Sequence, residues 1–281
     1  MSAPDAQALS AWVGRSESRT DLIAEREALL LAATLDRPDT PAAGQAQPPL
    51  WHWTAFAPSA RASEIGEDGH PHRGGFMPPV ELPRRMWAGG RLEFHAPLRV
   101  GSPATRVSTI ANLSVKSGKS GTLVFVTVRH DISSEGRLAI TEEQDVVYRE
   151  APAPGTVAPE PPPAPEGAQW SDEVLAGPVM LFRYSALTFN GHRIHYDLPY
   201  ARDTEGYPGL VVHGPLIATL LAESMARRTP RPLKRFAFRA VSPLFHTAPF
   251  RTCGAIEGDA VRLWAVNPSG RLAMSAEAVL G

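Results

Sequence analysis

Cysteine is nearly missing from this 281-residue chain, where Cys253 stands alone. A single thiol excludes an intrachain disulfide framework and every cysteine-rich zinc module, and it fits a reducing compartment. Nothing beside Cys253 in sequence would lower its pKa, so it is expected as a buried strand residue. Long apolar runs are lacking too, and no stretch approaches the roughly 20 residues of a membrane span. The opening MSAPDAQALSAWVGRSESRTDLIAERE has neither the basic segment nor the apolar core of a secretory leader. Nor is there an excess of charge of either sign. Lys and Arg total 28 against 29 Asp and Glu, a formal net charge of −1, so no global field draws the chain to nucleic acid or to an anionic membrane. These absences predict a cytoplasmic protein without nucleic-acid or membrane partners, in which an anionic ligand must be held by a local cluster.

Proline is abundant, with 28 residues, and it is densest in APAPGTVAPEPPPAPEG at 151–167. Neither a helix nor a central strand survives that density. Residues 151–168 are therefore read as a semi-rigid linker between an N-terminal unit, 1–150, and a C-terminal unit, 169–281. Both units fall in the usual domain size range.

The two units repeat one order of elements. In the first, the apolar positions Leu22, Ile23, Leu29, Leu30 and Leu35 predict a helix over 21–36, capped by Thr20 or Asp21. Stretches of β character follow at 87–96, 105–116, 121–133 and 137–149, with turns at 118–121 and 133–136 that make an antiparallel meander. In the second, 215–228 reads as a helix with proline in its first turn and arginines in its last. Strands are expected at 234–241, 250–257, 260–267 and 271–280. The fold class is α+β. A long helix wrapped by a curved antiparallel sheet is the hotdog arrangement, and two such helices in one chain predict a double hotdog.

The chemistry concentrates in 182–216. Asn190 and His195 stand five residues apart in apolar surroundings, and His213-Gly214-Pro215 opens the aliphatic second helix. A carboxamide and an imidazole beside a helix N-terminus can hold a water, move its proton and stabilise an anion. That combination points to adding water to an activated double bond, or removing it. A carboxamide neither gains nor loses a proton at neutral pH, so Asn190 is assigned to hold the water and His195 to act as base. The N–H of Gly214 is the expected oxyanion donor, because a residue without Cβ permits close approach and the helix dipole adds positive potential. Asp197 is read as a cap or structural residue.

The run Phe189-Asn190-Gly191-His192-Arg193-Ile194-His195, with His213-Gly214 downstream, resembles the MaoC-like (R)-specific enoyl-CoA hydratase and dehydratase family. That family's motif runs roughly Gly-Asp-X-Asn-Pro-X-His, and its catalytic aspartate falls on Asn190. Residues 66–90, GEDGHPHRGGFMPPVELPRRMWAGG, resemble the first hotdog of the double-hotdog branch related to mesaconyl-C4-CoA and itaconyl-CoA hydratases. The resemblance implies a hydro-lyase acting without metal or other cofactor on a short or branched enoyl-CoA, dicarboxylic ones included. It also implies a catalytic second hotdog beside a non-catalytic first one. Phe76, Arg84, Arg85, Trp87 and His213 are then expected to bind substrate, an arginine among them pairing with an acyl carboxylate.

Several other readings stay open. Hotdog proteins also include acyl-CoA thioesterases, and Asn190 would equally suit a non-catalytic acyl-CoA-binding module. His192, His195 and His213 form an alternative metal set, while His70 and His72 belong either to a glycine-rich polar loop or to a loop that faces substrate. Arg227, Arg228, Arg231, Lys234 and Arg235 are either a solvated face or a contact for the CoA phosphates. Two hotdogs in one chain already reproduce the pairing of single-hotdog dimers, so a monomer and a homodimer are both compatible.

Overall fold

The computed structural model describes residues 6–118, 121–151 and 159–281. In chain order the main elements are α1 (Ala6–Ser10), β1 (Ser16–Leu22), α2 (Glu25–Thr34), β2 (Arg84–Phe94), β3 (Pro103–Gly118), β4 (Gly121–Ser134) and β5 (Arg137–Arg149). The second half adds β6 (Trp170–Val174), α3 (Pro178–Thr188), α4 (Gly214–Ala226), β7 (Leu233–Ala240), β8 (Phe250–Glu257), β9 (Ala260–Val266) and β10 (Leu272–Leu280).

Alternating burial along the strands gives the sheet one inward face. In β4, Val124, Val126, Val128, His130 and Ile132 are buried while their neighbours are partly or fully exposed. This period of two is what a strand with one covered face requires. All ten strands join one antiparallel sheet, ordered β1-β3-β4-β5-β2-β7-β10-β9-β8-β6. The halves meet where β2 pairs with β7, from Gly89 opposite Arg239 to Glu93 opposite Arg235. A Cβ on Gly89 would stand 2.5 Å from the Phe238 carbonyl oxygen, so this join tolerates no side chain there.

α4 is buried along nearly its whole length, from Leu216 to Met225, inside the arc of the second half. A helix apolar all round belongs in a core. α2 places Ala28, Leu31 and Ala32 in the same continuous core, beside Ile132 and Ile140 of the first arc. Two helices with their two sheet arcs make the double hotdog.

Three local expectations are corrected. α2 begins at Glu25, because residues through Leu22 pair with β3 as a strand. Leu22 is exposed as a consequence, and Asp21 accepts the N–H groups of Leu22 and Phe56 rather than capping a helix. The N-cap position is Ala24, without a side-chain cap. Two further elements were not foreseen, the edge strand β6 and the helix α3, which starts with proline after Gly177 and ends at Phe189 with a φ of 50°. Of the expected linker, residues 152–158 lie outside the described residues. Its later part is tied to the second half: Leu272 N–H donates to the Pro162 carbonyl, Ala164 N–H donates to the Gly270 carbonyl, and Arg271 pairs with Glu160. Cys253 is buried on β8, as expected. No described helix is long and apolar enough to cross a bilayer.

Candidate active site

Two loops meet in front of the α4 N-terminus. Residues 189–195 leave α3, and residues 66–72 dock on them. The docking depends on glycine at both sides: a Cβ on Gly69 would stand 1.8 Å from the Gly191 carbonyl oxygen, and one on Gly191 would stand 2.6 Å from that of Gly69. Gly69 has a φ of 88°, whereas Gly191 is not in the left-handed region. Gly191 is thus required by the close approach and not by a turn. The Asp68 carbonyl accepts the Arg193 N–H at 3.0 Å and completes the junction.

The loop places His195 at the end of a short 3-10 turn, Arg193–His195. Its Nδ1 donates to the Val211 carbonyl at 2.8 Å, which leaves the lone pair on Nε2. Behind it the ring of His213 stacks at 3.7 Å with 19° between planes. The Ser185 hydroxyl lies 2.8 Å from His213 Nε2, Tyr184 packs edge-on at 5.0 Å, and His213 Nδ1 is buried without a partner. Burial pushes the pKa of His195 down to about 4, which the Val211 bond only partly offsets. Burial, with the neighbouring imidazoles, also holds His213 well below 6.5 and His192 at about 2. All three rings are neutral at pH 7, and His195 keeps an open acceptor nitrogen. That is the state a general base needs.

Asn190 accepts the His192 N–H on Oδ1 at 3.0 Å. Its amide nitrogen, with no acceptor among the described residues, is the group left for a ligand. Gly214 opens α4, and its N–H also has no described acceptor. A Cβ there would meet only the Trp87 carbonyl, 3.9 Å away, so the backbone of Gly214 borders open space on that side. Asn190, His195 and Gly214 line one cleft of about 2710 Å³ together with Phe76, Arg84, Arg85 and Trp87.

Several expected binding residues have other duties. His213 is 1% exposed, so it supports His195 from behind instead of touching a ligand in the cleft. Arg84 donates to the Glu205 carbonyl, pairs with its carboxylate at 3.2 Å and lies over the Tyr207 ring. None of the five residues in the basic cluster lines the cleft. Arg227 and Arg228 are bound to Asp172, and Arg231 to Asp259. His192, His195 and His213 are not a convergent set of ligating atoms among the described residues, and two of their rings stack face to face. Asp68, His70 and His192 come closer, with ligating atoms within 4.8 Å, although Asp68 and His70 already bond each other at 3.0 Å. Burial alone would raise the Asp68 pKa, but the bonds from His70 hold it well below the usual carboxylate range. Asp197 accepts the Tyr200 N–H and pairs with Arg193, the structural duty expected of it.

Sequence reading missed the inner end of the cleft. A cavity of about 200 Å³ there is walled by Trp53, Phe56, Trp87, Arg106, Glu142 and Asn190, among others. Arg106, Glu142 and Gln144 of the first arc line it, and beside them Ser108 faces His130 and His130 faces Glu142 across adjacent strands. The signal was present: Arg106, Ser108, His130, Glu142 and Gln144 interrupt an apolar period of two.

A double hotdog with a neutral histidine and an unoccupied helix N–H around one cleft is an arrangement suited to hydrating and dehydrating acyl thioesters. Comparison with known proteins agrees. The model of the hydroxyacyl-thioester dehydratase type 2 family matches residues 50–246. The mesaconyl-C(4)-CoA hydratase of Chloroflexus aurantiacus is 51% identical over 274 residues, 96% of this chain and 97% of the relative. Among solved structures, a MaoC-like dehydratase superposes with a TM-score of 0.73 at 17% identity, covering 96% of this chain and 99% of the other. The Rv0216 protein of Mycobacterium tuberculosis, a double hotdog, gives 0.55 at 15% identity and covers 96% of each chain. The chain belongs to the hydroxyacyl-thioester dehydratase type 2 family, and it is a hydro-lyase, an enoyl-CoA hydratase.

Proposed function

We propose that this enzyme hydrates a short, branched enoyl-CoA whose acyl part carries a carboxylate, of the type named for its relative, mesaconyl-C4-CoA. In that thioester, methyl and carboxylate both sit on the β-carbon, the atom that receives water. The observation that carries the reading is His195, held by Val211 with no described partner on Nε2, in the cleft that Gly214 also lines.

In the proposed step, a water hydrogen-bonded by the Asn190 amide gives one proton to His195 Nε2 as its oxygen bonds to the β-carbon. The π pair moves onto the thioester as an enolate, whose oxygen accepts the Gly214 N–H. The imidazolium then returns its proton to the α-carbon, so one water is added and the enzyme is restored. A single oxyanion donor of this kind is worth about 2.7–4 kcal/mol of barrier. The first half contributes no second Asn and His pair and serves to enclose the substrate, Trp87 above all. Arg85 and Arg149 line the cleft without a carboxylate partner among the described residues, and they supply positive charge for the CoA phosphates. A cytoplasmic site of action goes with the lone thiol and an acyl-CoA substrate.

The test is absorbance at the conjugated thioester band with the purified protein and a panel of enoyl-CoAs. Hydration of mesaconyl-C4-CoA is expected, with His195→Ala slowed about 100-fold or more while it stays folded. No change with any substrate, or a fully active His195→Ala, overturns the reading.

A further inference from the structure

The inner cavity holds a charge that the hydration step does not use. Arg106 stands on β3 at an inward position between buried Ala104 and Ser108. Its Nε is buried without a hydrogen-bond partner, and no carboxylate pairs with the guanidinium among the described residues. The group lies over the Phe56 ring, 5.0 Å from its centroid. Four charged neighbours surround it, and each is engaged elsewhere. Glu142 on β5 is bonded to His52 Nε2 at 3.0 Å, Trp53 Nε1 at 2.9 Å and Gln144 Nε2 at 2.8 Å. On β1, Arg19 sits opposite Arg106 and pairs with Glu17 at 3.3 Å, while Asp21 takes two backbone N–H groups. Burial lowers the Arg106 pKa, and the charge of Glu142, which lines the same cavity, offsets only part of that. A half-buried guanidinium whose Nε has no partner is costly, and a carboxylate meeting it with two parallel hydrogen bonds removes that cost.

We propose that Arg106 anchors a carboxylate on the acyl part of the substrate, in the cavity walled by Trp53, Phe56 and Trp87. This rests on the carboxylate-bearing substrate proposed above and names the group that selects it. Asn190 and Pro215 line the same cavity, so a carboxylate held there lies beside the β-carbon that receives water. The volume of about 200 Å³ is below the roughly 300 Å³ at which drug-sized sites begin, which suits a short acyl group and excludes a long one. A neutral apolar tail would leave the guanidinium unmet, so the cavity rejects it by charge as well as by size. Neither arginine expected from sequence fills this place, since Arg84 is tied to Glu205 and Arg85 does not line the inner cavity.

The experiment compares wild type, Arg106→Gln and Arg106→Lys on mesaconyl-C4-CoA and on the neutral crotonyl-CoA. Binding of the unreactive pair succinyl-CoA and butyryl-CoA is followed by calorimetry. Arg106→Gln is expected to lower kcat/KM for mesaconyl-C4-CoA about 100-fold or more, and crotonyl-CoA turnover far less, so that the ratio collapses. The preference for succinyl-CoA over butyryl-CoA should collapse with it. Equal losses on both substrates, or none, overturn the anchor. If Arg106→Gln does not fold, Arg106→Lys decides: it keeps the charge but not the fork, and an unchanged succinyl preference overturns the proposal. A wild type that neither turns over mesaconyl-C4-CoA nor prefers succinyl-CoA brings down the substrate reading and the anchor together. A wild type with that preference and an Arg106→Gln equal to it removes the anchor alone.

Discussion

Acidifying the assay isolates the state of His195. Its ring is buried, and burial pushes its pKa down to about 4, far from the 6.5 of an exposed imidazole. A base must be neutral to accept a proton, so activity should hold from pH 8 to about 5 and fail only near 4. At pH 5 a base of pKa 4 is about 90% neutral and one of 6.5 about 3%, a ratio of about 30 in kcat/KM. Stability moves in the same window and must be kept apart. His130, His192, His195 and His213 all have folded pKa values below the unfolded 6.5. Below pH 6.5 the unfolded chain takes up protons that the folded chain refuses. The stabilisation is therefore complete above 6.5 and drains away as pH falls through about 4, at up to about 1.4 kcal/mol per pH unit for each ring. Enzyme kept at pH 7 should be diluted into acid substrate and read within seconds, with circular dichroism recorded on the same time scale. A rate that halves near 6.5 while the circular dichroism is unchanged would refute the buried neutral base.

Two substitutions probe the rest of the site. Gly214→Ala has room for its Cβ and adds a better helix former, so the melting temperature should not fall; kcat/KM for mesaconyl-C4-CoA should drop at least tenfold as the methyl crowds the oxyanion, and unchanged kinetics would remove the N–H from the mechanism. Gly69→Ala combines left-handed strain of about 1–2 kcal/mol with a Cβ driven onto the Gly191 carbonyl, so it should cost both stability and turnover. Gly44→Ala, at a φ of 80° in open space, carries the strain alone and serves as control: if both variants lose turnover equally, the docking of 66–72 on 189–195 does not position Asn190.

Local chemistry in the sequence was enough for α4 and the four strands that follow it, though not for β6 and α3. Proline at the start of α4, arginines after it and turn residues between runs of β character each act over a few residues, and those elements came out within a few positions of the expected bounds. Asn190, His195 and Gly214 line one cleft, because one loop and one helix start supply all three. The apolar phase of Leu22 and Ile23 misled, since pairing with β3 outweighs helix periodicity at that point. Gly191 answers to Gly69, more than a hundred residues earlier, and no local pattern announces that contact.

What tertiary structure alone decided is the environment of each charge. Whether His213 meets substrate or backs His195 depends on which ring covers which, and no spacing encodes that. Arg84 and Arg106 look alike in sequence; one finds Glu205 in the second half, and the other is left unpaired in a cavity. Burial and pairing arise only when distant strands close around a side chain, and for this enzyme they separate a structural arginine from the one proposed to choose the substrate.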